Sequence, residues 1–418
     1  MQTAIEYINY FVALLFCFCY SYQFLYMIIS IFHKPVKFRK AKQENRYAFM
    51  IAGRNEEKVI ANLIESIMRQ TYPTELIDVY VCADNCTDNT AVVAEAAGAI
   101  VYERFNKKKV GKGYALDFLF GKVREMCGDE YYAGYFIFDA DNLLDKRYVA
   151  EMNKAYCAGH KVITSYRNSK NYGDNWISAG YGQWFLREAR QMNNVRMILG
   201  TSCAVSGTGF YVSQEIINRI GGWKYFLLTE DIQFSIDCVL HGEKIAYCHT
   251  AKYYDEQPVK FVDSWHQRMR WTKGYLQVFK KYGKRLIKGL FGTNGFSCFD
   301  MSMNIMPAIV LSIFSTCINV VTMLLSLLVL KQDLAGVLWS AAQSVINSYA
   351  MLLVVGLVTC LTEWKSIRCK GWKKLLYCLT FPLYTFTYLP IAIAALFAKV
   401  EWKPIRHTDT KSIEDMKK

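Results

Sequence analysis

The pattern of hydrophobic and polar positions divides the chain into apolar ends and a mixed middle region. Charged side chains are absent from residues 7–32 and from three stretches near the C-terminus, residues 301–330, 334–362 and 375–398. Each of these stretches is long enough for a helix to cross a bilayer. We therefore predict one transmembrane helix before the middle region and about three after it.

The middle region, residues 46–282, has a different pattern, in which short apolar runs alternate with segments of helical spacing. This alternation predicts an α/β fold, with a mostly parallel sheet covered by helices on both faces. The predicted organisation is an N-terminal transmembrane helix with a basic juxtamembrane segment (residues 1–45), the α/β domain (46–282), an interfacial segment (283–300), C-terminal transmembrane helices (301–398) and a polar tail (399–418).

Basic residues indicate which side of the membrane the α/β domain faces. Lysines and arginines directly follow the first apolar stretch, and others follow the stretch that ends at residue 362. By the positive-inside rule both places are cytoplasmic, so we predict an integral cell membrane protein with a cytoplasmic α/β domain. Strict alternation would place the tail outside, whereas Pro382 and Pro390 could break the last stretch or make it re-entrant, and the pattern leaves both alternatives open.

Charge and cysteine content limit the classes of molecule that the protein is expected to bind. The 418 residues carry a formal net charge of +14, but the basic side chains lie largely beside the apolar stretches rather than within a base-stacking motif. We therefore expect membrane lipids and an anionic nucleotide as partners, and no nucleic acid. The 14 cysteines include no Cys-x-x-Cys pair, so neither disulfides nor a zinc site is predicted.

Two carboxylates, Asp139 and Asp141, directly follow the apolar run at residues 135–138. In an open α/β sheet, ligands bind beyond the carboxyl ends of the strands, which places both acids at a ligand site. Carboxylates are poor phosphate binders unless a cation intervenes, and Mg²⁺ or Mn²⁺ suits that position. A polar turn that ends a strand is the alternative interpretation of so short a motif.

Further candidate residues lie at other predicted strand and helix ends. Asn55 and Glu56 follow the predicted first strand, and Asp84 follows the second. Lys112 lies between two glycines before a predicted helix, where a cation and accessible backbone favour phosphate. A flexible basic turn explains that lysine equally well, and the spacing differs from that of a P-loop.

Two motifs follow in the second half of the middle region. The sequence Thr229-Glu230-Asp231 opens a predicted helix, with the threonine as N-cap and the acids in the first turn. On its own this pattern indicates a helix start and nothing more. Residues 267–271 have the pattern Gln-x-x-Arg-Trp, and an interfacial helix would account for these residues as well.

Taken in order, these motifs resemble those of the inverting family 2 glycosyltransferases, in the membrane-embedded branch that includes cellulose, chitin and hyaluronan synthases and nodulation chitooligosaccharide synthases. The resemblance covers residues 46–282 and the arrangement of the flanking apolar stretches. It implies a GT-A (Rossmann-like) fold, a nucleoside-diphosphate sugar donor, usually a UDP-sugar, and a divalent metal, Mg²⁺ or Mn²⁺.

The resemblance also implies a role for each motif residue. Asp231 would be the base that takes the acceptor's proton, with Glu230 beside it in the catalytic site. A single base without a carboxylate nucleophile gives one displacement at the anomeric carbon and therefore inversion. Asp141 would bind the metal, Trp271 the acceptor, and the donor would contact Asn55, Glu56, Asp84, Lys112, Asp139, Gln267 and Arg270.

Three functions are compatible with these motifs. The leading hypothesis is a processive synthase that extends a polysaccharide and secretes it through its own helices, because the Gln-x-x-Arg-Trp motif accompanies processive members. The alternative is the addition of a single sugar to a membrane lipid acceptor, as in ceramide glucosyltransferases, which share similar motifs. A transporter or scaffold with a degenerate domain is the third, and the complete set of Asp84, Asp141, Asp231 and Arg270 argues against it. The motifs predict neither the sugar nor the oligomeric state.

The tail at residues 401–408 resembles the segment of tryptophan and basic residues that follows the last transmembrane helix in related bacterial synthases. If it is cytoplasmic, this segment would help to close the active site. Composition alone predicts that His407 is a solvated tail histidine.

Overall fold

A single sheet organises the part of the chain that the structure describes. The computed structural model describes residues 2–305, 307–329, 334–402, 404 and 407–417. The strands in these ranges are β1 (Tyr47–Gly53), β2 (Ile77–Asp84), β3 (Ile100–Arg104), β4 (Gly134–Asp139), β5 (Leu143–Leu144), β6 (Val162–Ser169), β7 (Phe210–Ser213) and β8 (Ile245–Asp255). They form one sheet in the order β3-β2-β1-β4-β7-β6-β8-β5.

Strand pairing sets where the strands end. Parallel pairs join β1 to β2 and β4, β2 to β3, and β6 to β8, whereas β7 runs antiparallel between β4 and β6. The predicted α/β fold with a mostly parallel sheet is therefore confirmed. The register places Gly53 beside Ala83 and Ala52 beside Asp139. Strands β1, β2 and β4 thus finish at the same edge of the sheet.

Helices cover the sheet and continue into the apolar ends of the chain. A π-helical segment, Glu188–Asn193, joins α6 to α7. The helices are α1 (Gln2–Phe32), α2 (Ile60–Met68), α3 (Thr90–Ala96), α4 (Lys112–Cys127), α5 (Tyr148–Cys157), α6 (Trp176–Arg187), α7 (Asn194–Leu199), α8 (Gln214–Ile220), α9 (Glu230–Leu240), α10 (Phe261–Gly289), α11 (Gly295–Ile305), α12 (Pro307–Leu328), α13 (Leu334–Thr362), α14 (Gly371–Phe386) and α15 (Tyr388–Phe397).

Two apolar layers hold the sheet between its helices. Successive side chains of a strand point to opposite faces, so β1 contributes Phe49 and Ile51 to one layer and Met50 to the other. Ile64 of α2 belongs to the first layer and Leu116 of α4 to the second. Burial on both faces explains why β1 is a continuous apolar run instead of an alternating one.

Three helices in the described part of the chain are long and apolar enough to cross a membrane, at Tyr10–Phe32, Leu334–Thr362 and Gly371–Phe397. The stretch predicted at residues 301–330 is divided between α11 and α12, and its apolar helix, Ile313–Leu328, is shorter than the other three. Residues 306 and 330 of that prediction lie outside the described residues.

A buried cluster of charged and hydroxyl groups joins α1 to the α/β domain. Asp300 of α11 accepts two hydrogen bonds from the guanidinium of Arg196, at 2.7 and 2.8 Å, and both side chains are almost fully buried. Tyr22 and Tyr26 of α1 donate their hydroxyl hydrogens to the same carboxylate at 2.9 and 3.1 Å. One carboxylate therefore connects α1, α7 and α11.

Helices α14 and α15 contact the α/β domain at both ends of the pair. Near the start of α14, Lys373 Nζ donates a hydrogen bond to the carbonyl of Gly173 at 2.7 Å. At the end of α15, the carbonyl of Ala395 accepts a hydrogen bond from Lys273 Nζ of α10 at 3.0 Å. This pair of helices therefore lies along the domain.

Candidate active site

Acidic side chains from two strand ends and one helix meet at a single cavity of about 850 Å³. Asp84 ends β2, Asp139 ends β4 and Asp231 lies in the first turn of α9. All but one of the residues assigned from the sequence line this cavity: Glu56, Asp84, Lys112, Asp139, Asp141, Glu230, Asp231, Gln267, Arg270 and Trp271. Residues far apart in the chain are thus brought together beyond the carboxyl ends of parallel strands, where α/β sheets bind ligands.

Asn55 is the assigned residue that lies outside this lining. Its φ of 61° is in the left-handed region, which asparagine tolerates better than most residues. Its side-chain oxygen accepts the backbone N–H of Thr87 at 2.8 Å, and this bond joins the loop after β1 to the loop after β2. A contact between Asn55 and the donor stays a prediction.

Asp84 is fixed at the cavity wall by its neighbours. The carboxylate is buried and forms an ion pair with Arg104 of β3, and Asn85 Nδ2 donates to its Oδ1 at 3.0 Å. The same arginine donates a hydrogen bond to the carbonyl of Lys109 at 2.7 Å. The loop that precedes α4 is thereby tied to the end of β2.

Lys112 is the first residue of α4, whereas the sequence placed it just before the helix, and it directly follows Gly111, whose φ of 131° favours glycine. Its ammonium pairs with Asp139 and donates to the carbonyl of Gly207 at 2.7 Å. Burial alone would lower the pKa of Lys112, but Asp139 and Glu230 raise it above its ordinary value. A positive charge therefore lies between the Asp139 carboxylate and the acids of α9.

Asp141 and Asp255 form a candidate cation site. Asp141 Oδ2 accepts the N–H of Glu256 at 2.8 Å. Asp255 pairs with Arg167 through Oδ2, while its buried Oδ1 has no hydrogen-bond partner among the described residues. Burial raises the pKa of Asp255 to about 6, with Arg167 lowering it and Asp141 raising it. Two interacting carboxylates with a buried oxygen that lacks a partner fit a hard divalent cation such as Mg²⁺ or Mn²⁺.

The first turn of α9 carries Glu230 and Asp231 to the cavity. Thr229 is the N-cap residue of this helix, as predicted, but its hydroxyl makes no capping hydrogen bond within the described residues. The side chain instead packs against α10, where a Cβ on Gly274 would lie 2.5 Å from Thr229 Cγ2. Asp231 is held by a different contact, since its Oδ2 accepts the N–H of Gly207 at 2.6 Å.

Burial shifts the proton equilibria of both acids on α9. It raises the pKa of Glu230 to about 7, with Asp231 raising it further and Lys112 lowering it. Burial also raises the pKa of Asp231 above its ordinary value, although the N–H of Ile232 and the charge of Lys112 lower it. A buried carboxylate with a raised pKa is suited to accept a proton.

Helix α10 presents Gln267, Arg270 and Trp271 together, because residues three and four positions apart are neighbours on a helix. The buried Oε1 of Gln267 has no hydrogen-bond partner among the described residues. Arg270 donates a long hydrogen bond, 3.4 Å, to the carbonyl of Leu228. Trp271 packs edge-on against Tyr181, with ring centroids 5.7 Å apart. The two polar side chains thus keep hydrogen-bonding capacity at the cavity wall.

The polar tail returns to the α/β domain beside the cavity. His407 Nδ1 lies 3.0 Å from both carboxylate oxygens of Glu56, and Glu256 accepts the next two backbone N–H groups at 3.0 and 2.9 Å. Burial would lower the pKa of His407, but Asp141 and Glu56 raise it to about 10. The His407 side chain is only 20% exposed, so the prediction of a solvated histidine is wrong.

The cavity also contains residues that the sequence prediction did not include, among them Arg167, Glu188, Asp255 and Glu256. Asp255 is the last residue of β8, as Asp139 is the last residue of β4. The expectation that ligands bind at the carboxyl ends of strands could therefore have predicted Asp255 and the glutamate that follows it. The sequence offers no comparable signal for Glu188 or for Arg167, whose guanidinium lies 3.4 Å from the ring centroid of Phe185.

The cavity continues from the acids into the apolar helices. Its far part is lined by Ser315, Thr316 and Asn319 of α12 and by Ser344 and Ser348 of α13. Among the described residues of α12, the lining ends at Asn319, roughly 14 Å before the end of the helix at a rise of 1.5 Å per residue. The cavity therefore connects the acids with the middle of these helices.

The mostly parallel sheet, with acidic side chains at its strand ends and on a separate helix, is the arrangement expected of a glycosyltransferase with a GT-A fold. The glycosyltransferase-like family 2 model matches residues 45–274, more than half of the chain, and the chain belongs to that family.

The chain is similar to several curated glycosyltransferases. It is 24% identical over 244 residues to a beta-monoglucosyldiacylglycerol synthase of Synechocystis sp., covering 56% of this chain and 48% of that one. It is 25% identical to the probable glycosyltransferase YdaM of Bacillus subtilis, covering 60% and 62%. It is 23% identical to the poly-beta-1,6-N-acetyl-D-glucosamine synthase of Staphylococcus epidermidis, covering 57% and 56%. The chain thus spans about half to three-fifths of the length of these relatives.

Among solved structures, the mannosyltransferase PcManGT from Pyrobaculum calidifontis, in complex with GDP-Man and Mn²⁺, resembles this chain with a TM-score of 0.60 at 15% identity. The match covers 95% of this chain and 99% of that chain. At this identity the likeness concerns the fold, and it confirms the predicted GT-A architecture.

Proposed function

We propose that this protein is an integral membrane glycosyltransferase that transfers one hexose, with inversion, from a UDP-sugar to the hydroxyl group of a membrane lipid. The observation that carries the proposal is the cavity that joins Asp231 to the apolar helices and, among the described residues, ends partway along α12. A lipid acceptor needs a path from one leaflet to the base, whereas a secreted polymer needs a path across the whole bilayer. A relative named beta-monoglucosyldiacylglycerol synthase also supports a lipid acceptor.

Basic segments and contacts support the proposed topology. The basic residues after α1 favour a cytoplasmic α/β domain. The tail shares that side, because His407 packs on Glu56 of the domain. Although α14 and α15 together are long and apolar enough to cross a membrane, their contacts with the domain at both ends favour a position along the inner membrane surface, which leaves the tail in the cytoplasm.

Asp231 acts as the general base in this account. Its carboxylate takes the proton of the acceptor hydroxyl while that oxygen bonds to the anomeric carbon. The bond from this carbon to the diphosphate oxygen breaks at the same time, and UDP leaves with the electron pair. The N–H of Gly207 orients the carboxylate through Oδ2. One displacement from the face opposite the diphosphate inverts the anomeric configuration.

Other cavity residues hold the donor and the acceptor. Lys112 and Arg270 provide positive charge for the departing diphosphate, an effect that preorganised cations supply without rearrangement. Asp84 contacts the nucleotide, and Trp271 offers an aromatic face to the acceptor. Mg²⁺ or Mn²⁺, when bound, neutralises charge on the diphosphate.

Asp141 and Asp255 would hold that cation. The described residues contain no group of three or more His, Cys, Asp or Glu side chains arranged for a metal ion. The remaining ligands would therefore come from the diphosphate and from water, as is usual for Mg²⁺ at phosphate sites.

A processive synthase is the second candidate. Asn319, Ser344 and Ser348 line the cavity on otherwise apolar helices, and polar side chains inside a membrane often mark a substrate path. A hydroxyl-rich glycan fits such a lining, and one relative is named poly-beta-1,6-N-acetyl-D-glucosamine synthase. Product length distinguishes the two candidates.

The proposed function can be tested with the purified full chain in lipid nanodiscs. We expect one sugar in a panel of UDP-sugars to release UDP only when diacylglycerol is added, with one sugar on each lipid product by mass spectrometry. Asp231→Asn should abolish release and keep UDP affinity, whereas Asp263→Asn, at an exposed position of α10 outside the cavity, should match the wild type. A product longer than one sugar would reject single addition, a product without lipid would reject the lipid acceptor, and full turnover in Asp231→Asn would reject the base.

A further inference from the structure

A second cavity, of about 400 Å³, lies where α14 begins. Two acidic side chains, Asp174 and Asp415, line it together with five basic ones, which are Lys170, Arg368, Lys370, Lys373 and Lys411. The excess of positive charge shows that an anion is the natural ligand class for this cavity. It is separate from the acid-lined cavity, which contains none of these residues.

The basic cavity adjoins exposed apolar side chains of α14. Trp372, which lines the cavity, is 61% exposed, and Leu375, Leu376 and Leu379 are exposed on the following turns of α14. Exposed tryptophan beside basic residues is typical of the headgroup region of a bilayer, with leucines in the acyl region. A ligand in this cavity can therefore have both a charged head and an apolar tail.

The cations of the cavity are only partly neutralised by the protein. Lys411 pairs with Asp409 at 2.8 Å. Lys170 is 5% exposed, although it carries a charge. Like charges that line one cavity repel each other, and a bound anion would offset that repulsion.

We infer that the basic cavity binds the phosphate group of an anionic phospholipid from the cytoplasmic leaflet. Basic pockets beside membrane helices on this side of a bilayer suit acidic headgroups. Helix α14 adds its N-terminal N–H groups, since its N-cap residue Lys370 makes no side-chain capping bond. The exposed leucines favour a lipid over free phosphate, because they provide a surface for acyl chains.

Binding at this cavity would also hold the tail in place. Lys411 and Met416 of the tail line the cavity, and Ile413 packs with Leu143 beside β8. The same tail reaches Glu56 through His407. A ligand that binds only the docked tail stabilises the docked state by mass action. The lipid therefore links the membrane surface to the segment beside the active-site cavity.

Native mass spectrometry of the delipidated full chain in detergent tests this inference without turnover. The chain is titrated with phosphatidylglycerol, with phosphatidylcholine, or with inorganic phosphate in competition. We expect phosphatidylglycerol to be retained in preference to phosphatidylcholine and to withstand millimolar phosphate. Lys370→Gln should weaken phosphatidylglycerol retention by about fivefold, the effect of roughly one basic charge near anionic lipid.

Lys365→Gln is the matched control, because it removes the same charge from an exposed position of the same loop outside the cavity. Lys365→Gln should leave phosphatidylglycerol retention unchanged. If Lys370→Gln folds poorly, Arg368→Gln serves in its place and should weaken retention in the same way. Equal retention of the two lipids would overturn the inference. Equal losses in Lys365→Gln and Lys370→Gln would also overturn it, by showing a diffuse basic surface. Displacement by inorganic phosphate would assign the cavity to free phosphate instead.

Discussion

The imidazole of His407 lies 3.0 Å from the carboxylate of Glu56, although 351 positions separate them in the chain. Glu56 follows β1, so this contact brings the end of the protein to the sheet edge that carries Asp84 and Asp139. Charge-assisted hydrogen bonds of this kind are stronger than neutral ones. The tail therefore forms part of the wall of the candidate active-site cavity.

Replacing His407 with alanine should detach the tail. The backbone N–H groups of Thr408 and Asp409, which donate to Glu256, should then exchange hydrogen about tenfold faster or more, since a hydrogen bond to a charged group contributes roughly 1.5–3 kcal/mol. Hydrogen exchange measured by mass spectrometry checks this. Glu401→Ala, at an exposed position earlier in the tail, should change nothing. Equal exchange in wild type and His407→Ala would contradict the docked tail.

Activity should depend on the ionisation of the acids on α9. Asp231 must be deprotonated to act as base, and burial raises its pKa above the ordinary value of 3.8. The value of kcat/KM should therefore rise with pH, and the midpoint of this rise should lie above the pKa of a free aspartate. Glu230, with a pKa of about 7, adds a second component that should vanish in Glu230→Gln. A midpoint at or below the ordinary aspartate value would contradict this assignment.

Gly274 sets the position of the turn that carries these acids. In Gly274→Ala the new Cβ would meet Thr229 Cγ2 at 2.5 Å, so the turn has to move. We expect kcat to fall about tenfold or more, because small displacements of a catalytic group are costly. Gly121→Ala in α4, where a Cβ meets nothing within 4 Å, should leave kcat unchanged and add about 0.5–1 kcal/mol of stability. Full activity in Gly274→Ala would show that the contact does not set the turn.

The Asp300 cluster should dominate the attachment of α1. Asp300→Ala leaves the buried Arg196 without its partner and should cost about 3–5 kcal/mol of unfolding free energy. Tyr22→Phe removes one hydrogen bond and should cost about 1 kcal/mol. Thermal denaturation in detergent ranks the variants. Glu125→Ala breaks an exposed pair with Lys122 and should change stability by less than about 1 kcal/mol. A similar loss in all three would reject the cluster as the main attachment.

The positions of most acidic side chains in the cavity could be predicted from the residues next to them in the sequence. Asp84, Asp139 and Asp141 follow apolar runs, and the carboxyl ends of parallel strands converge whatever the intervening sequence. Lys112 followed from the glycine before a helix start. Their positions needed only the identity of neighbouring residues, whereas their roles came from the family resemblance and stay predictions.

Long-range packing determined what the sequence could not predict. Threonine is a residue type that often caps helices through its side chain. The Thr229 side chain packs against Gly274 instead and makes no capping hydrogen bond. Counting apolar stretches could not show that the tail contacts the domain, because α14 and α15 lie along the domain. The pairing of His407 with Glu56 depends on that path and has no local signal.

The proposed function requires one lipid hydroxyl to meet one activated sugar at Asp231. The most direct measurement is the stoichiometry and anomeric configuration of the product made in nanodiscs from an α-linked UDP-sugar and diacylglycerol, read by mass spectrometry and by the NMR coupling of the anomeric proton. We expect one β-linked sugar on each lipid from the wild type and no product from Asp231→Asn. An α-linked product, a lipid with several sugars, or a polymer without lipid would contradict the proposed function.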